Sequence, residues 1–170
     1  MKRYWSQIAG LPVLSAEEGK ILGKIRAVFV HPESGKILAF LVGWLRVMTP
    51  KDIRTWGKEQ VEINSSEDLS YPEDILRLQE FGLRRTLING KKIVDKKGKR
   101  LGQLKDFSFD TTTDCLVTLD SARSFLWWEW NQRSFPVKLI AEITDQAIIL
   151  NIEEGQKEKV AEKATLSVAV

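Results

Sequence analysis

Along most of this 170-residue chain, apolar and polar positions alternate in short runs broken by glycine-bearing polar turns. That is the pattern of strands and hairpins, not of long helices. Residues 11–14 form a brief apolar run, followed by the polar turn Ser15-Ala16-Glu17-Glu18-Gly19-Lys20. From Leu22 the pattern predicts a strand with Ile25, Ala27 and Phe29 on one face and Lys24, Arg26 and Val28 on the other. His31-Pro32-Glu33-Ser34-Gly35-Lys36 reads as a hairpin loop, since proline sets φ and Gly35 accepts a positive one. Residues 37–44 return as a nearly continuous apolar strand, which implies burial on both faces. Pro50-Lys51-Asp52-Ile53 opens the next element, and Gln60-Val61-Glu62-Ile63-Asn64 alternates cleanly after Trp56-Gly57-Lys58.

The period then changes. Ser70-Tyr71-Pro72-Glu73-Asp74 places proline near a first helical position and acids in the first turn. Ile75, Leu76, Leu78 and Phe81 follow at helical spacing until Gly82, so a short connecting helix is expected near residues 72–81.

Beyond it the chain repeats itself. Gly98-Lys99-Arg100-Leu101-Gly102-Gln103-Leu104 matches Gly19-Lys20-Ile21-Leu22-Gly23-Lys24-Ile25, and Leu101, Leu104, Phe107 and Phe109 take the places of Leu22, Ile25, Val28 and Val30. Asp110-Thr111-Thr112-Thr113-Asp114 replaces the first hairpin loop. Ile140, Ile143, Ile148 and Leu150 match Ile53, Trp56, Val61 and Ile63 at a larger offset, which requires an insertion within residues 121–133. A self-similar unit of about eighty residues implies a duplicated small domain. The expected fold is mainly β, with two tandem small β-barrels joined by a short helix. Residues 1–80 are the first barrel with its connector, residues 81–153 the second, and residues 154–170 a flexible charged tail.

Both units resemble the PRC-barrel. The resemblance rests on the two Gly-Lys-x-Leu-Gly-type hairpins, on Pro32-Glu33-Ser34-Gly35-Lys36-Ile37, on Pro50-Lys51-Asp52-Ile53 and on Phe107-Ser108-Phe109-Asp110, and it spans residues 6–152. The PRC-barrel is the small domain of the photosynthetic reaction-centre H subunit and of the ribosome maturation factor RimM. The resemblance implies docking and assembly rather than catalysis, and it carries over no catalytic residue.

Composition adds few constraints. The 26 basic and 23 acidic residues leave a net charge of +3. The local excess is Lys91, Lys92, Lys96, Lys97, Lys99 and Arg100, with Lys105 beyond, opposed there by Asp95. Such a cluster fits phosphate or an acidic surface, and equally a hairpin whose lysines stay in water. Cys115, the single cysteine, is expected as a small buried hydrophobe. The single histidine, His31, is expected in an exposed loop, and neither a metal nor a cofactor is expected. Glycine spacing gives no phosphate loop, because Gly19 and Gly23 lie within a hairpin. No secretory signal and no transmembrane run is read, so a cytoplasmic, non-enzymatic protein is expected.

The aromatic segment is the candidate binding site. Phe125, Trp127, Trp128 and Trp130 sit where the second copy is longer. Strand alternation puts Trp128 and Trp130 on one face and Trp127 on the other. Tryptophan suits binding hot spots, because it buries a large area and keeps one donor. Three uses stay open: filling the seam between barrels, binding a protein partner or a second copy, or stacking on nucleic-acid bases. Trp44 and Trp56 are expected at barrel core or barrel edge. The leading function is a protein-interaction or assembly module. The alternative is an RNA-linked factor assisting ribosome maturation, with RNA or a ribosomal particle as partner.

Overall fold

Two eleven-residue strands of matching pattern organise the molecule. The computed structural model describes residues 1–125 and 128–152, with backbone alone for 123–125 and 128–132. The first stretch contains β1 (Lys2–Tyr4), α1 (Trp5–Ile8), β2 (Pro12–Ser15), β3 (Lys20–Val30), β4 (Ile37–Val42), β5 (Arg46–Met48), β6 (Ile53–Trp56) and β7 (Val61–Ile63). The connector holds 3-10 turns at Ser66–Asp68 and Pro72–Asp74, then α2 (Leu76–Phe81) and α3 (Leu83–Thr86). The second stretch contains β8 (Lys92–Asp95), β9 (Arg100–Asp110), β10 (Cys115–Phe125), β11 (Trp128–Pro136), β12 (Ile140–Ile143) and β13 (Ala147–Leu150).

The fold is mainly β and forms two sheets. One runs β5-β4-β3-β2-β7-β6 and curls as a half-barrel. The other runs β11-β10-β9-β8-β13-β12, with β1 added on β9. Element for element the strand orders agree. In each, one pair is parallel, β2 with β7 and β8 with β13. A 3-10 turn precedes β6 (Pro50–Asp52) and β12 (Val137–Leu139) alike. At the first of these, Thr49 donates from its backbone N and Oγ1 to Asp52 Oδ2, at 2.7 and 2.8 Å. The polar start of that turn is thereby satisfied locally.

The segments leading into each sheet cross to the other one. β1 pairs with β9, placing Arg3 opposite Phe109. Ahead of β8, Leu87 bridges Phe29, and the Ile88 N–H reaches the Val28 carbonyl at 3.3 Å. The β3–β4 and β9–β10 loops also meet. The Ile37 N–H donates to the Asp114 carbonyl at 2.6 Å, and the Leu116 N–H to the Gly35 carbonyl at 3.0 Å. These bonds are reciprocal, since Gly35 and Asp114 hold related places in the two loops. Both are left-handed, with φ of 66° and 56°. Glycine reaches that region without strain, and aspartate is among the few other residues that tolerate it.

One apolar core runs through both sheets. It includes Ile25, Val28, Val30, Phe40 and Val61 from the first and Leu101, Leu104, Phe107, Phe109 and Ile148 from the second. The Phe109 ring lies 5.9 Å from Phe40 and 5.8 Å from Trp56, and Trp5 stacks on Phe107 at 5.7 Å. Small β units bury too little surface alone, and a shared core is the physical remedy.

Three expectations change at the level of elements. Strict alternation in β3 fails, because the register shifts between Ile25 and Ala27. That bulge flips the phase, so Val28 enters the main core while Phe29 joins Ala39, Val47 and Leu78 in a smaller cluster beneath α2. β4 ends at Val42 instead of reaching Trp44, because Gly43 turns at φ 63°. The connector is segmented, not one helix over residues 72–81. Asp74 Oδ2 caps the Tyr71 N–H, Ile75 is extended, and only then does α2 begin. Leu78 is fully buried, Leu76 points outward at 75% exposure, and Gly82 closes α2 at φ 78°.

Candidate functional site

The aromatic segment falls on the β10–β11 hairpin. β10 and β11 have eleven and nine residues, against six and three in β4 and β5, so the inserted residues lengthen this hairpin. β10 pairs with β9 as far as Ala122 opposite Gln103. Its pairing with β11 continues through Arg123–Trp130, Ser124–Glu129 and Phe125–Trp128. A two-stranded arm therefore runs past the last β9 partner and carries Phe125, Trp128 and Trp130 on its backbone. Trp127 and the facing of these side chains lie outside the described residues.

The basic cluster divides. Lys92, Lys96, Lys97, Lys99 and Arg100 are exposed on the β8–β9 hairpin. The turn is held from inside by Asp95, whose Oδ1 accepts the Lys97 and Lys99 N–H groups at 3.0 and 2.9 Å. Lys91 does not belong with the surface lysines. It is 7% exposed, and its Nζ donates to the Arg85 carbonyl at 2.8 Å and to the Thr144 carbonyl. Burial pushes its ammonium down to about 8, with Asp145 opposing and Arg85 assisting that shift. It is a clip between α3 and the β12–β13 turn, out of reach of a bound phosphate. The sequence hid this because Lys91 has no signal that separates it from Lys92; strand facing decides.

His31 is half-buried, not exposed. Its Nδ1 accepts the Glu33 and Ser34 N–H groups at 3.3 and 3.4 Å, and its ring lies 4.5 Å from Phe81. It organises its own loop against α2. Cys115 is likewise half-buried, not core. It stands at the start of β10 with Sγ 3.3 Å from the Thr113 carbonyl, where the two loops meet. Across β9 and β10, Asp106 stands opposite Asp120, whose carboxyl is raised, first by burial and then, against a Ser134 hydrogen bond that lowers it, by the Asp106 charge. Asp106 is already engaged by the Ser6 N–H and Oγ at 2.9 and 2.6 Å, anchoring α1. Among the described residues, no group of three or more His, Cys, Asp or Glu side chains is placed to hold a metal ion. No helix there is long and apolar enough to cross a membrane.

Trp56 packs on the core from edge strand β6, as expected of a core or edge position. Trp44 does not: it is 79% exposed at the β4–β5 turn, beside Leu45 at 70%. The available signal was Gly43, which ends the apolar run one residue earlier.

With the first sheet and its connections in view, the comparison with known families is direct. Residues 1–69 match the PRC-barrel domain. The match supports that family for the part of the chain holding β1 to β7. β8 to β13, with the same strand order, lie beyond the residues matched to the PRC-barrel. No curated protein matches the chain.

Proposed function

We propose that the chain is a non-catalytic, cytoplasmic interaction or assembly module built from two tandem PRC-type barrels, residues 1–80 and 81–153. The tandem reading is supported by the shared strand order and by the PRC-barrel match over residues 1–69. The observation that carries the interaction role is the β10–β11 arm. It extends the second sheet where the first has a short turn, and it concentrates tryptophan, a residue favoured at binding hot spots. The arm grips a protein partner or the arm of a second copy. Affinity purification of the native protein, set beside the Trp128→Ala/Trp130→Ala variant, tests this. Loss of one specific partner or of self-association is expected. An unchanged set of bound proteins, with the fold intact, refutes the arm as the site.

A second reading, an RNA-linked role in ribosome maturation, is favoured by exposed Lys92, Lys96 and Lys99 on one hairpin. It requires binding to structured RNA that weakens steeply with salt, and salt-independent or absent binding removes it.

A further inference from the structure

The β4–β5 hairpin tip has a composition that neither reading uses. Gly43 ends β4 and donates its N–H to the Lys24 carbonyl at 2.8 Å, and β5 resumes at Arg46 opposite Val42. Trp44 and Leu45 are left as the turn itself. They are 79% and 70% exposed, the two side chains of a convex apolar point. Single exposed hydrophobes need no explanation, but adjacent large ones at a projecting tip do.

Two exposed cations stand beside the tip. Lys24 and Arg26 are exposed, and the Arg26 guanidinium lies 5.1 Å from the Trp44 ring. Arg46 stands apart from them: it is half-buried, its guanidinium donates to the Leu69 carbonyl and lies 4.5 Å from the ring of Tyr71. Lys24 and Arg26 are in none of the ion pairs Met1–Asp110, Lys20–Glu18 and Arg85–Glu142. The result is an apolar point beside two exposed cations.

We propose that this tip docks the protein reversibly onto an anionic lipid surface. Trp44 would lie at the headgroup boundary and Leu45 among the first acyl carbons, while Lys24 and Arg26 meet lipid phosphates. A fluid surface accepts a convex point without a preformed cavity. Single-stranded nucleic acid fits less well, because Arg26 already covers one face of Trp44 and Leu45 offers no ring for stacking. The apolar pair and the two cations supply the two weak signals that peripheral binding needs.

The test is flotation of the full chain with vesicles of phosphatidylcholine and phosphatidylserine, and with phosphatidylcholine alone, at low and high salt. Wild type should float with the anionic vesicles at low salt and largely detach at high salt. Trp44→Ser/Leu45→Ser should lose about tenfold or more in partitioning, and Lys24→Gln/Arg26→Gln should bind both vesicle types alike. Trp44 and Leu45 lie outside both apolar clusters, so an unchanged thermal melt should show that the tip variant is folded. The proposal is overturned if wild type ignores anionic vesicles at low salt, or if the tip variant floats as wild type does. Tip-dependent binding to single-stranded RNA without vesicle binding overturns it in favour of nucleic acid.

Discussion

Lys91 makes stability depend on pH in a direction opposite to that of most surface lysines. Its folded-state pKa is about 8, against the ordinary lysine value of 10.5, because the ammonium gives up water for two carbonyls. Below pH 8 both folded and unfolded chains carry the charge, and folding bears the full desolvation cost. Between pH 8 and 10.5 the unfolded chain binds the extra proton, so stability rises with pH. Above 10.5 neither carries it and the cost is gone. A shift of this size corresponds to at most about 3.5 kcal/mol, at roughly 1.4 kcal/mol per pH unit. Lys91→Met removes the titration but orphans the Arg85 and Thr144 carbonyls, which should cost about 1–3 kcal/mol each. Urea unfolding of both proteins at successive pH values isolates the effect, because every other titrating group is common to the pair. Wild type should gain on the variant by about 2–3 kcal/mol from pH 8 to 10.5. A difference that stays constant across that range refutes the assignment of a buried, charged Lys91.

Two further outcomes follow from the contacts between the sheets. Arg3 reaches from β1 to the Gly57 and Trp56 carbonyls at 3.1 and 2.6 Å, so Arg3→Met should cost about 2–3 kcal/mol, read from urea midpoints. Gly35→Ala puts a Cβ 3.3 Å from Val137 Cγ2 at φ 66° and should cost about 1–2 kcal/mol, lowering the melting temperature by several degrees.

Periodicity made the strands and their matching order readable. Leu22, Ile25, Val28 and Val30 and their counterparts Leu101, Leu104, Phe107 and Phe109 all line one core shared by the two sheets, where the repeat predicts two barrels. Matching Ile140, Ile143, Ile148 and Leu150 to Ile53, Trp56, Val61 and Ile63 likewise picked out the last two strands of each sheet. What escaped was set by single-residue geometry. The bulge after Ile25 sends Phe29 to the smaller cluster, a slip that composition cannot show. The exchange of β1 onto β9 depends on a pairing far apart in sequence. Lys91 and Lys92 look alike as letters, yet one is sealed and one is wet. Trp44 was read into a strand because the apolar run continues through it, while Gly43 quietly ends the ladder. The aromatic arm was located by its extra length, and its site role rests on the double-variant experiment.

Two sheets of the same strand order share one core and should unfold as one body. Phe109, 1% exposed on β9, touches Phe40 and Trp56 of the first sheet. Phe109→Ala should cost about 3–5 kcal/mol, with up to about 1 kcal/mol more for each lost ring pair. At a urea slope of about 2 kcal/mol per molar, the midpoint should fall by roughly 2 M. The measurement is urea unfolding of this variant, followed by far-ultraviolet circular dichroism and tryptophan fluorescence together. One coincident transition, shifted as a whole, is the predicted result. Two transitions, with the first sheet holding its wild-type midpoint while the second melts early, would contradict the single core.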